Sequence, residues 1–323
     1  MIWIGVAVIA LVVLVMISYL VEALRRAPAA PERLPWSPDL LARYLDIGGV
    51  RLRYVTAGEG PPLLLLHTLR TQLDMFQKVI PALATRFRVY ALDYPGHGYS
   101  EIPDRVYDAG FFVDAAAASL DRLDLRNAVV VGESIGGSIA LLLAARHNPR
   151  VARVIAINPY DYDRGRGLRR SSFLANLIFG LSRVPILGAT VERLRSYPVV
   201  HRVFEGGVVR PGALPRALAK EMYLVGNRPG HSRAFGSLVA NWPSWEAARG
   251  EYASINLPVL LIYGDRDWSH EEERAADARA IPGAELRVIP NAGHFLSLDA
   301  PDELIGAILG WSPAGERLAA RPA

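Results

Sequence analysis

A chain of 323 residues, half of them apolar, with 36 basic and 32 acidic side chains, is long enough for one large enzyme domain. The absence of cysteine excludes disulfide staples and thiolate metal sites. The net charge of +4 is dispersed and almost wholly arginine, with Lys78 and Lys220 the only lysines, which excludes a concentrated nucleic-acid-binding patch.

Residues 2–21 are almost uninterrupted apolar sequence, broken only by Gly5, Ser18 and Tyr19. As a helix this run matches the ~30 Å hydrocarbon core of a bilayer. A cleaved signal peptide would begin with basic residues and have a shorter apolar stretch of roughly 7–15 residues. The expectation is therefore an uncleaved anchor over residues 1–26. Arg25, Arg26 and Arg33 follow the span, so the positive-inside tendency places the remainder on the cytoplasmic side. Residues 27–42 read as a linker stiffened by Pro28, Pro31, Pro35 and Pro38.

A hairpin turning at Gly48-Gly49 opens the next segment, and strand-like runs follow at residues 62–67, 87–93, 127–132 and 151–158. Between residues 132 and 137 stands Gly-Glu-Ser-Ile-Gly-Gly, directly between an apolar strand and an apolar helix. Glycines beside Ser134 let the chain turn sharply there. Such an elbow lifts the hydroxyl to the sheet edge, beside backbone N–H groups at the positive end of a helix.

From residue 159 to about 255 the alternation of strand and helix stops, and helix-like segments broken by prolines intervene. Within them residues 173–181 are strongly apolar and adjoin Arg164, Arg166, Arg169 and Arg170. Two readings stand: a helix packed on the core, or an amphipathic surface that meets the bilayer. The strand rhythm resumes at residues 259–264 and 285–289. The first of these ends in Gly264-Asp265-Arg266-Asp267, and the second is followed by Gly293-His294. An acid at one strand end and a histidine at the next can both reach the elbow serine. Ser134 needs them, because a hydroxyl is a weak nucleophile until an imidazole takes its proton and a carboxylate fixes the tautomer. The seven histidines are scattered and no H-E-x-x-H occurs, so neither a metal site nor a cofactor is expected.

The elbow, the segment Asp93-Tyr94-Pro95-Gly96-His97-Gly98-Tyr99-Ser100, the Gly264-to-Asp267 turn and the Gly293-His294 pair occur in one order. On these motifs the chain resembles the α/β-hydrolase fold superfamily, as a capped member with a serine nucleophile and a membrane anchor. The resemblance implies a mainly parallel sheet with helices on both faces, a core of residues 43–158 and 256–311, and a helical cap at 159–255. The last residues, 312–323, are left as a flexible tail. It implies Ser134 as nucleophile, His294 as general base and Asp267 as orienting acid, with Asp265 the rival. The oxyanion donors would be the amides of Leu69 and Ile135. The superfamily's usual His-Gly after the third strand is here His67-Thr68, and Thr68 is ill suited to positive φ. Arg70 is either a donor toward substrate or an ion-pair partner at the rim. His67 and Trp242 are candidate pocket residues, and Glu133 is expected to support a loop by hydrogen bonding.

A serine at the elbow, where the superfamily's dehalogenases and epoxide hydrolases carry aspartate, points to an acyl-enzyme. The expected activity is hydrolysis of a carboxylic ester of an apolar or lipid-like substrate at a membrane. The oligomeric state is left open. Alternatives are C–C bond or enol-lactone hydrolysis and acyl transfer, and, in a different class, a non-catalytic binding protein on this fold.

Overall fold

The computed structural model describes residues 1–182, 184 and 186–312. The expected tail therefore lies, except for Ser312, outside the described residues. The N-terminal apolar run forms one helix, Ile2–Ala23, which at 1.5 Å per residue is about 33 Å long. Its side chains are exposed except near its C-terminal end, where Ser18 is buried.

The segment read as a linker is partly folded. Its residues form a small antiparallel ribbon, β1 (Arg33–Leu34) with β2 (Ser37–Leu41). Leu34 is fully buried, and the Trp36 indole donates to Asp74 at 2.7 Å. Two apolar anchors thus hold a stretch whose prolines gave no strand signal.

Eight strands form the main sheet: β3 (Arg43–Ile47), β4 (Val50–Ala57), β5 (Pro62–Leu66), β6 (Arg88–Leu92), β7 (Ala128–Glu133), β8 (Val151–Ile157), β9 (Val259–Gly264) and β10 (Glu285–Ile289). Their spatial order is β10-β9-β8-β7-β5-β6-β4-β3. The pairs from β10 to β6 are parallel, whereas β4 runs antiparallel to both β6 and β3. The central strands are apolar along their whole length because helices cover both faces. Leu64 and Leu66 join one buried cluster, and Leu63 and Leu65 join the other, on the opposite face. Gly48 and Gly49 take φ of 62° and 86°, the left-handed values a two-residue hairpin between β3 and β4 demands.

Among the described residues the elements between β8 and β9 are all helices, and one of them, Leu187–Arg193, packs on the N-terminal helix. Arg193 Nε donates to Ser18 Oγ at 3.0 Å, and its guanidinium lies 4.0 Å from the Tyr19 ring centre. Arg195, buried, pairs with Glu22 at 2.8 Å. Arg25 donates to the carbonyls of Arg193 and Arg195 and to the Tyr223 hydroxyl. The apolar helix is thus docked on the rest of the protein through its last turns.

Candidate active site

β7 delivers Ser134 into a backbone conformation of φ 62°, ψ −121°, which non-glycine residues adopt rarely. The flanking glycines make this possible by close approach. A Cβ on Gly132 would stand 2.0 Å from the Gly136 carbonyl oxygen, and one on Gly136 would stand 2.1 Å from that of Leu66. Ser134 N–H donates to Ile157 O at 2.8 Å, fixing the elbow to β8. The helix Ile135–Ala145 starts at the next residue and is buried throughout.

His294 Nε2 lies 2.8 Å from Ser134 Oγ, and His294 Nδ1 lies 2.5 Å from Asp267 Oδ1. All three residues are buried, and the side chains of His294 and Asp267 are fully enclosed. The second carboxylate oxygen of Asp267 accepts from Ser269 N–H at 2.9 Å and from the Ser269 hydroxyl, which in turn accepts from Arg274 Nε at 3.0 Å. Burial pushes the Asp267 carboxyl up. The charge and hydrogen bond of His294, with the bonds from Ser269, outweigh burial and hold it below the ordinary carboxylate range. Asp265 points elsewhere: exposed, it accepts from Ala292 N–H at 3.2 Å and so shapes the turn that carries His294.

Several supports lay outside the sequence reading. The Trp268 indole stacks on the His294 imidazole, centres 3.7 Å apart and planes within 12°, and its Nε1–H is tied to Gly206 O at 2.9 Å. Asn158, at the end of β8, donates to the carbonyls of Gly293 and His294 and accepts from Gly264 N–H. Asp299 accepts from Gly293 N–H at 2.7 Å. Trp268 adjoins the acid in sequence and was a visible signal; Asn158 and Asp299 carried none.

Glu133 is fully buried and accepts from both Ser297 N–H and Ser297 Oγ–H at 2.8 Å. It therefore ties the elbow to the segment just after His294. Burial pushes its carboxyl up to about 7 despite those two bonds.

A narrow cavity of about 70 Å³ reaches Ser134, with Leu69, Tyr160, Phe179, Phe204 and Phe295 among its apolar lining. Leu69 lies beside Ser134 there and Ile135 follows it in the chain. The N–H groups of both find no hydrogen-bond acceptor among the described residues. The left-handed residue in the β5 loop is Arg70, at φ 57°, so Thr68 is spared positive φ.

Two of the three expected pocket residues, His67 and Trp242, take other places. His67 is fully buried under the loop, with Nδ1 at 2.7 Å from Thr68 O and the Tyr94 ring 4.5 Å away. Burial lowers its pKa to about 3, so it is a neutral packing residue rather than a substrate contact. Trp242 packs on Phe179 and lines a separate, larger cavity. Arg70 does line the Ser134 cavity, but its guanidinium forks onto Glu192 at 2.8 and 3.0 Å and lies over the Phe235 ring. The ion-pair reading therefore holds for Arg70. Asp93 of the Asp-x-x-Gly motif is likewise structural: it accepts from Arg53, Leu73 N–H and Tyr99 N–H.

No group of three or more His, Asp or Glu side chains among the described residues is arranged to hold a metal ion.

A family model described as the alpha/beta hydrolase fold matches residues 61–301. The chain is 33% identical to the magnesium-chelatase 30 kDa subunit of Rhodobacter capsulatus, over 87% of this chain and 98% of that one. It is 30% identical to haloalkane dehalogenase 2 of Mycobacterium tuberculosis, over 83% and 93% respectively. Among solved structures, a membrane phospholipase A described as a bacterial virulence factor superposes with a TM-score of 0.70. That match covers 96% of this chain and 93% of the other at 21% identity, and so speaks for the fold alone.

Proposed function

Because the chain belongs to the α/β-hydrolase fold family, we propose that it is a membrane-anchored serine hydrolase cleaving a carboxylic ester of an apolar, lipid-like substrate. The observation that carries this reading is the unbroken chain of hydrogen bonds from Ser134 Oγ through His294 to Asp267. With its Nδ1–H given to Asp267, His294 offers Nε2 as base. Ser134 Oγ passes its proton there and attacks the ester carbonyl carbon. The negative oxygen that forms is held by the N–H groups of Leu69 and Ile135. The C–O bond to the alcohol breaks as His294 returns the proton to the leaving oxygen. Water then repeats the sequence on the acyl-serine, freeing the carboxylic acid.

A serine at the elbow separates this chemistry from alkyl-halide displacement, which needs a carboxylate nucleophile. The apolar cavity supports an apolar acyl or alcohol group. Anchoring is supported by the length of the helix Ile2–Ala23 and by Trp3 and Tyr19 near its two ends, and the basic residues that follow it support a cytoplasmic hydrolase. Cleavage after residue 26 would strip buried Arg195 of Glu22, which supports retention of the helix.

The test is labelling by a fluorophosphonate, followed by turnover of esters of graded chain length. Wild type should be labelled at Ser134. Ser134→Ala and His294→Ala should lose labelling while retaining their unfolding transition. Labelling of Ser134→Ala at the same segment would overturn the assignment.

A further inference from the structure

Beside the Ser134 cavity lies a larger one of about 810 Å³, within the roughly 300–1,000 Å³ of ligand sites. Its position is unusual. Tyr19 and Glu22 of the apolar helix form part of its wall, so its mouth sits where that helix leaves the hydrocarbon layer. Around it Phe173, Leu177, Val184 and Ile186 are exposed apolar side chains, Phe173 by 85%. The two cavities share a wall made of Ile178, Phe179, Val191 and Glu192.

Charge gives the lining a sign. Arg164, Arg166, Arg193 and Arg233 line it, against Glu22 and Glu192. Both carboxylates are already paired with arginines outside that lining: Glu22 with Arg25 and Arg195, Glu192 with Arg70. Arg166 and Arg233 pair with Asp163 and Asp104. The guanidiniums of Arg164 and Arg193 form no ion pair among the described residues, although the Arg164 backbone N–H donates to Glu246 Oε2 at 3.0 Å and Arg193 donates to the Ser18 and Thr190 hydroxyls. An apolar chamber with two guanidiniums that lack an ion pair, beside a membrane-anchoring helix, fits a chain with an anionic head.

We propose that this chamber receives an anionic membrane lipid from the leaflet, its headgroup on Arg164 and Arg193 and its acyl chain along Phe179, Phe235 and Val239. The lipid's ester then reaches Ser134 across the shared wall. The inference rests on the membrane-anchor reading for binding and on the ester-hydrolase reading for its last step.

Gly236 gives a clean probe, because it lines the chamber and a Cβ there meets no atom within 4 Å. The full chain carrying Ser134→Ala is placed in phosphatidylcholine nanodiscs containing a trace of phosphatidylglycerol with a photoactivatable diazirine in its acyl chain. Crosslinks should fall on the helices Phe173–Leu181 and His231–Ala240, and Gly236→Phe should abolish them. With Ser134 restored, Gly236→Phe should lower turnover of a vesicle-borne ester by an order of magnitude relative to a short soluble ester. Ala240→Leu, on the same wall, repeats the measurement should Gly236→Phe fail to fold. Crosslinks that persist unchanged in both variants would overturn the chamber. Equal crosslinking by a phosphatidylcholine probe would overturn the anionic selectivity. Failure of fluorophosphonate to label Ser134, with crosslinks intact, would instead overturn the hydrolase reading.

Discussion

Replacing Glu133 by glutamine isolates one buried carboxyl whose electrostatic position can be worked through. In the folded protein burial away from water pushes it up to about 7, against an ordinary 4.5. At ~1.4 kcal/mol per pH unit the gap corresponds to ~3 kcal/mol. The native state holds this proton more tightly than the unfolded chain does. Its contribution to stability is therefore complete below pH ~4.5 and is lost as pH rises through about 7. Glu133→Gln keeps an oxygen for Ser297 N–H but removes the charge. Its unfolding free energy should thus gain on that of wild type by up to ~3 kcal/mol between those limits and run parallel above them. Urea unfolding of the full chain in detergent, followed by tryptophan fluorescence at a series of pH values, measures the difference directly. Subtraction cancels every other titrating group. A difference that is constant with pH would refute the argument that burial controls this residue.

Other outcomes follow from the geometry. Asp267→Asn should lower kcat on a soluble ester by up to ~10⁴-fold, because the wrong imidazole tautomer is favoured, whereas Asp265→Asn should cost far less. The reverse ranking in two folded proteins would reassign the acid. Gly136→Ala places a Cβ 2.1 Å from Leu66 O, so thermal unfolding should shift strongly downward or soluble protein should be lost. Arg53 is fully buried between Asp74 and Asp93, each at 2.6 Å. Arg53→Met leaves both carboxylates without a cation and should destabilise by roughly 3–5 kcal/mol in urea unfolding.

The parts of the site legible in the sequence are those set by local backbone demands. The elbow needs glycine at fixed offsets from Ser134, and strand ends with Asp267 and His294 follow apolar runs that can be recognised alone. Partnerships across the chain are different. Arg70 meets Glu192, 122 residues away, and nothing near Arg70 announces that a carboxylate awaits it. His67 and Trp242 are residue types that suit a pocket, but which side of a loop or helix faces the cavity is decided by packing. The ribbon at residues 33–41 was hidden because prolines mask strand propensity, while the buried Leu34 and the partly buried Trp36 hold it in place. The docking of the N-terminal helix was invisible for the same reason: Glu22 and Arg25 look like ordinary flanking charges until Arg193 and Arg195 arrive beside them.

The order of the strands also governs when activity can first appear during synthesis. β8 pairs with β9 only after the intervening hundred or so residues of helices have been made, so the sheet closes late. The apolar helix is made well before Arg193 and Arg195, which grip it. Ser134 follows at mid-chain, on a strand that can already pair with β5. Its base lies 160 residues further on. A nascent or prematurely terminated chain thus carries the proposed nucleophile without its proposed base. On the proposed mechanism such a chain hydrolyses nothing until the segment after β10, which carries His294, is in place.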